Sequence, residues 1–343
     1  MRRWAWLAIA LQCMVLVWVA AQREWIMARA PSVWLRTMPV DPRDPFRGDF
    51  VALDYEIAHL SVAERNALSA AFARKRQQVY ASLEPDARGV AKARAMQPEP
   101  FADGRQIRGR VGTAINADWR WRADVKFGIE KLFVEQGAGL VLEQQRGQRD
   151  DWQRAMEVEV ALSGSGTAAI KGYRWSPIAI KLEVVEAAER VAGRAGEVDE
   201  AGGSGSEPGA AGPDRRLGPK LRLWLRNEDQ QDWLMPALNS RCAWELRQLD
   251  ALAWSSIDWA QPCVDQADDR VLQPGQEWQL EIDFALPEWQ LQANNKPLAI
   301  GQWPETGARF RLVYRPRPAN AEGARPWPTE LALPAFNGNG RID

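Results

Sequence analysis

Apolar and polar positions change rhythm along this chain. From Trp4 to Ala21 (WAWLAIALQCMVLVWVAA) no position is charged. As a helix rising 1.5 Å per residue, the stretch spans roughly 27 Å, about the hydrocarbon thickness of a bilayer. Trp4, Trp6 and Trp18 sit near its ends, where indoles favour the membrane interface. Arg2 and Arg3 precede it and favour a cytoplasmic N-terminus, although Arg23, Arg29 and Arg36 follow on the other side. Val19, Ala20 and Ala21 also fit a signal-peptide cleavage site. The apolar run is long for a signal core, so the anchor is preferred. Either way the rest of the chain is exported. The partner this segment requires is the lipid bilayer, through residues 4–21.

Beyond the anchor the period becomes two, the rhythm of strands with one buried and one solvated face. Val51, Leu53, Tyr55 and Ile57 alternate with Asp54 and Glu56. Trp119, Trp121, Ala123, Val125 and Phe127 alternate with Arg120, Arg122, Asp124 and Lys126. Met156, Val158, Val160 and Leu162 alternate with Glu157 and Glu159, and the SGSG run at 163–166 turns into another strand-like stretch. Ser61 and Glu64 form a capping box ahead of Leu68, Ala71 and Phe72 at helical spacing. A second short helix is expected near Ile129 to Glu135. Farther on, Leu221, Leu223 and Leu225 share a face. So do Trp278, Leu280, Ile282 and Phe284, and then Phe310, Leu312 and Tyr314 opposite Arg309, Arg311 and Arg315.

The expected fold class is therefore mainly β with some α. Residues 1–31 form an N-terminal transmembrane helix and its flank, and 32–186 an antiparallel β-rich α+β domain. Residues 187–219, rich in Gly, Ser, Pro and charge, cannot bury enough apolar surface to offset ordering and read as a flexible linker. Residues 220–318 read as an immunoglobulin-like β-sandwich, and 319–343 as a loose tail.

Composition narrows the function classes. Basic and acidic residues number 44 and 45 of 343, so no basic excess marks a nucleic-acid binder. One histidine, His59, excludes zinc sites built on several histidines, and any Ser–His–Asp or Cys–His site would have to use it. At a strand end it reads as an ordinary polar residue. No cofactor or metal pattern is present. Cys242 and Cys263 lie in the exported part, where disulfides persist, and are expected to be bonded; two unpaired thiols are the alternative. Half of the 18 tryptophans fall between Trp224 and Trp327. Trp224 falls opposite the leucine face, and Trp233, Trp254 and Trp259 fall in loop-like stretches. These four are candidate binding residues, for example as platforms for sugar rings; otherwise they fill a core.

The most distinctive segment is Met38 to Ile57 (MPVDPRDPFRGDFVALDYEI). Prolines 39, 42 and 45 hold it extended, and Gly48 with Asp49 makes a turn before a strand begins at Phe50. GDFVALDY resembles the signature of the GDYXXLXY protein family. Gly48, Asp49, Leu53 and Tyr55 match its defining positions, and Phe50 stands where the signature has its first tyrosine. QQVYASLEPDARGVAKA and FGIEKLFVEQGAGLVLE are similar to later segments of such proteins. The resemblance covers about residues 32–186. It implies a membrane-anchored bacterial envelope protein, found with multi-pass membrane proteins, and it supplies no catalytic residue.

Other readings of the same residues are weaker. Arg47-Gly48-Asp49 spells an integrin tripeptide, a short match expected by chance. A signal-peptidase-like reading takes Ser32 as nucleophile and Lys75, Lys92, Lys126 or Lys131 as base, without the motif context such enzymes need. Glu130, Glu135 and Glu143 are candidate glycosidase carboxylates but read more simply as solvated. Arg120, Arg122 and Lys126, beside Arg108 and Arg110, make a basic face. It either approaches lipid headgroups or, as preferred, pairs across strands with Glu157 and Glu159. The sequence thus leads to a non-enzymatic protein of the bacterial inner membrane with its bulk in the periplasm. Its role is expected to be binding or assembly with a multi-pass membrane or envelope partner. A glycan-binding module and a hydrolase are the alternatives.

Overall fold

The structure, a computed structural model, describes residues 2–38, 50–58, 78–102, 104–115, 121–147, 151–188, 217–250, 253–263, 269–293, 296–303, 308–317 and 324–342. Gly48, Asp49, His59, the helix expected from Ser61, and positions 189–216 of the expected linker lie outside these residues. The described chain is mostly β and divides into two compact units. Unit 1 is Met1–Gly147, Arg154–Pro177 and Ala251–Trp254; unit 2 is Gln148–Gln153, Ile178–Asp250 and Ser255–Asp343. The chain changes unit inside a strand, between Pro177 and Ile178.

Unit 1 begins with α1, Arg2–Arg29. This helix is about 42 Å long at 1.5 Å per residue, and its Ile9–Arg29 stretch is long and apolar enough to cross a membrane. After Pro31 the chain enters β1 (Ser32–Met38) directly. There follow β2 (Phe50–Ala52), β3 (Asp54–Tyr55), β4 (Gln78–Pro85), β5 (Ala91–Gln97), β6 (Arg105–Ile115), β7 (Trp121–Lys126), β8 (Lys131–Phe133), α2 (Ala138–Arg146), β9 (Gln153–Leu162) and β10 (Ala168–Glu186). One antiparallel sheet runs β5-β4-β6-β7, while β1 pairs with β9 and with β3, and β2 pairs with β8. The period-two reading of the signature strand holds: Val51, Leu53, Tyr55 and Ile57 are all buried, with Val33, Leu35, Ile107, Val125 and Val158 in the same core. The helix expected near Ile129 is instead β8, because Leu132 forms a ladder pair with Val51. That pairing takes the backbone groups a helix would use.

Unit 2 comprises the second half of β10, then β11 (Lys220–Asn227), β12 (Trp233–Met235), β13 (Trp244–Asp250), β14 (Ala253–Ile257), β15 (Arg270–Leu272), β16 (Glu277–Asp283), β17 (Leu291–Ala293), β18 (Lys296–Leu298), β19 (Arg309–Tyr314), β20 (Arg325–Pro326), β21 (Leu331–Ala332) and β22 (Phe336–Asn337). From Ile178, β10 pairs with β11 and β11 with β16, both antiparallel. A second ladder runs β14-β13-β19-β21, with β22 also on β19. Burial along β11 alternates strictly, as its pattern predicts. Leu221, Leu223 and Leu225 meet Trp244, Leu246, Phe310 and Leu312 in one core. The expected loose tail is corrected here. Trp327, Leu331, Leu333 and Phe336 join that core, and β21 and β22 both pair with β19. Prolines and polar residues between these short strands hid a segment whose apolar side chains are nearly all inside. Arg311, expected opposite the apolar face, is also buried.

Candidate functional site

The signature residues that are described form a short ribbon. β2 and β8 place Phe50 opposite Phe133, Val51 opposite Leu132, and Ala52 opposite Lys131. The Leu53 N–H donates to the Glu130 carbonyl at 2.9 Å, continuing the ladder. Tyr55 is 1% exposed, and its hydroxyl donates to the Ile129 carbonyl at 2.9 Å. Burial, with Glu130 nearby, pushes the Tyr55 hydroxyl far above its ordinary pKa, so it stays a donor. Glu130 itself accepts from the backbone amides of Phe127 and Gly128. Leu53 and Tyr55 therefore clamp the chain at 129–133, which is the FGIEKLF segment read as similar to the family. The opposite face of the ribbon is exposed. Phe133 is 77% accessible, 6.3 Å from the Phe50 ring, and the Lys131 ammonium lies 4.7 Å over Phe50. Val141 on α2, which packs near β2, is exposed as well.

The third family-like segment makes the turn between β4 and β5. Asp86 Oδ1 accepts from the amides of Arg88 and Val90, at 2.7 and 3.0 Å. The turn docks on β1, where the Trp34 N–H donates to the Gly89 carbonyl at 2.9 Å. This aims Arg88 at Glu157 on β9, which it meets with both guanidinium branches at 3.0 and 2.8 Å. Arg174 on β10 adds a bond at 2.7 Å, with its guanidinium 4.1 Å over the Trp34 ring, and Arg36 on β1 approaches to 3.5 Å. Glu157 is wholly buried. Burial alone would raise its pKa, but three guanidiniums outweigh it and hold the carboxyl below its ordinary value. Burial lowers Arg88 from its ordinary value, against the pull of Glu157.

This corrects the reading of Glu157 as a solvated strand residue. Both faces of β9 are covered at that point. The arginines that pair with it, Arg36, Arg88 and Arg174, are scattered widely in sequence, so no local spacing reveals them. The partners expected for Glu157 and Glu159 were instead Arg120, Arg122 and Lys126. Arg120 lies outside the described residues, and β7 pairs with β6 rather than with β9.

The cysteines meet as expected: Cys242 and Cys263 form a disulfide, with Cα atoms 5.4 Å apart. The tryptophan candidates separate. Trp233 lies in β12 at 1% exposure, edge-on to Trp327, with its indole N–H on Asp229, so it offers no face to solvent. Trp259 packs partly against the core and donates to the Trp244 carbonyl. Trp254 is half-buried on β14. Trp224 is half-buried in β11 between Lys181 and Gln279, and its indole donates to Glu183 at 3.2 Å.

Ser32 donates to Glu159 at 2.6 Å, and Lys171 approaches the same carboxylate oxygen to 3.5 Å. Neither contact involves Lys92, Lys126 or Lys131, which stand on β5, β7 and β8. Lys75 lies outside the described residues. Among the described residues no three His, Cys, Asp or Glu side chains group as metal ligands.

Unit 1 is thus an apolar N-terminal helix leading into a β-rich body. In that body the signature strand pairs with the 129–133 strand, and the turn that carries Arg88 docks on β1 and β9. Residues 12–172 match the family model described as GDYXXLXY protein. No curated protein and no solved structure shows a match.

Proposed function

We propose that this chain is a single-pass protein of the bacterial inner membrane with both β-rich units in the periplasm. There it acts without catalysis, as a binding and assembly module for a multi-pass membrane or envelope partner. The observation that carries this reading is the continuity of α1 with β1. An apolar helix of bilayer length passes through Ala30 and Pro31 straight into the unit built around the family signature. The disulfide supports an oxidising compartment for unit 2. The outward face of the signature ribbon supports a protein partner, because an exposed Phe133 beside Phe50 is the kind of aromatic surface enriched at interfaces. We read unit 2 as an immunoglobulin-like sandwich, on the strength of two antiparallel ladders over one core.

The test is a photocrosslinking amino acid at Phe133 of the full chain in intact cells. A specific adduct with a membrane or envelope protein, absent when the crosslinker replaces exposed Arg94, supports the proposal. Recovery of only uncrosslinked chain, or recovery of the protein from the cytosol, refutes it.

A further inference from the structure

The placement of β7 beside β6 brings together three exposed cations for which no ion pair is found among the described residues. Arg110 and Lys126 stand directly opposite each other in the β6–β7 ladder, with Arg108 two residues along on the same face. All three are exposed. Like charges in opposed positions destabilise a sheet. Among the described residues no carboxylate lies within ion-pair distance of any of the three. In the same ladder Arg122 pairs with Ala114 and Asp124 with Gly112. Between the arginines, Gly109 lets the strands close: a Cβ there would lie 2.4 Å from Val125 Cγ1.

The stripe starts at the anchor end of unit 1. The Pro31 carbonyl, just past α1, accepts from the Leu162 N–H at 3.0 Å. Leu162 leads into the 163–167 turn, whose Gly166 carbonyl accepts from the Arg108 N–H at 2.8 Å. Arg108 Nη2 also donates to Thr167 at 3.1 Å. Gly166 has φ +79, and a Cβ there would sit 3.0 Å from the Arg108 nitrogen, so glycine permits this approach. Two backbone hydrogen bonds and one tight turn separate the stripe from the end of the apolar helix.

We infer that Arg108, Arg110 and Lys126 dock unit 1 on the phosphate-bearing headgroups of anionic lipids in the bilayer that α1 crosses. The inference rests on α1 being a membrane anchor. Unpaired basic residues this close to a bilayer are drawn to anionic headgroups, and the covalent tether makes docking an intramolecular event of high effective concentration.

The test uses the full chain with Cys13→Ser and a bimane on Gln78→Cys, the exposed residue opposite Arg110 in β4. The protein is reconstituted in phosphatidylcholine vesicles with or without phosphatidylglycerol, each carrying a headgroup nitroxide lipid as quencher. Strong quenching in the phosphatidylglycerol vesicles, lost in high salt, is expected. At about fivefold per basic residue, the docked-to-free ratio falls roughly a hundredfold in Arg108→Glu/Arg110→Glu/Lys126→Glu. The milder Arg110→Gln/Lys126→Gln weakens it in the same direction. If the chain resists alkaline extraction but quenching is equal in both vesicles, or unchanged in both variants, headgroup docking is overturned while the anchor stands. If alkali releases the chain, the anchor reading fails and the docking with it.

Discussion

Replacing Glu157 with Gln keeps the shape of the side chain and removes a carboxylate that Arg36, Arg88 and Arg174 share. The carboxylate is wholly buried, Arg36 and Arg88 are 6% and 5% exposed, and Arg174 is 34% exposed. Removing one partner of a buried ion pair costs about 3 to 5 kcal/mol, far more than the net worth of the pair itself. At about 2 to 4 °C per kcal/mol for a unit of this size, the unit 1 transition falls by roughly 6 to 20 °C. A thermal melt of the full chain in detergent, followed by circular dichroism at neutral pH, reads this directly. The pH dependence has a definite sign. A folded-state pKa held below the unfolded value means the carboxylate stabilises the fold fully above about pH 4.3, its ordinary range. That contribution is lost as the pH falls through the depressed folded value. Wild type therefore loses stability on acidification, and Glu157→Gln loses less. A melt within about 2 °C of wild type, with an unaltered acid limb, would refute the view that this ion cluster ties the β4–β5 turn to β1, β9 and β10.

Tyr55→Phe removes the bond to the Ile129 carbonyl and is expected to cost about 1 to 2 kcal/mol in denaturant titration of the full chain, whereas Phe50→Tyr, on the outer face, leaves the midpoint unchanged. Gly109→Ala forces a Cβ against Val125 and Phe127 and is expected to cost about 1 to 3 kcal/mol, read as a lowered melting temperature with the β6–β7 hairpin more open to proteolysis. Cys242→Ser/Cys263→Ser, or treatment with dithiothreitol, is expected to lower unit 2 stability by about 2 to 5 kcal/mol and to shift the chain's mobility on a non-reducing gel. Trp233→Ala is expected to cost about 3 to 5 kcal/mol, against under 1 kcal/mol for Trp224→Ala; equal effects would contradict the placement of Trp233 in the core.

Sequence periodicity located the strands of both units wherever one face meets solvent, as along β11, where every second residue from Leu221 is buried. It failed where burial is two-sided or the strand is short. Glu157 looked solvated because its flanking valine and methionine filled the expected inner face. Only the long-range arrival of Arg36, Arg88 and Arg174 makes its burial tolerable. β8 is hidden from the pattern because its three residues carry no period. The last segment resembles a tail in sequence because Pro326, Pro328 and Pro334 break any pattern, although Trp327, Leu331 and Phe336 lie in the core. The cysteine pair was legible because oxidised cysteines need only proximity and compartment. The tryptophan candidates were not, because loop-like surroundings do not decide whether an indole points in or out.

The physical content of the family signature follows from where its residues sit. Leu53 fills the core and donates its amide to Glu130, and Tyr55 fills the core and bonds Ile129. Both residues fasten one short strand to another, and neither presents a reactive atom to solvent. At Phe50 the ring is on the outer side of the ribbon, against Lys131 and Phe133. A tyrosine there would place a hydroxyl at the rim without disturbing the clamp. Leu53 and Tyr55 therefore hold the ribbon, and its outward surface lies at Phe50 and at the exposed end of β8. A functional difference between Phe50 and Phe50→Tyr forms would then appear in partner capture at Phe133 and leave stability alone. The reverse result would mean the outer ring belongs to the packing of unit 1, and the partner surface would have to be sought elsewhere on the body.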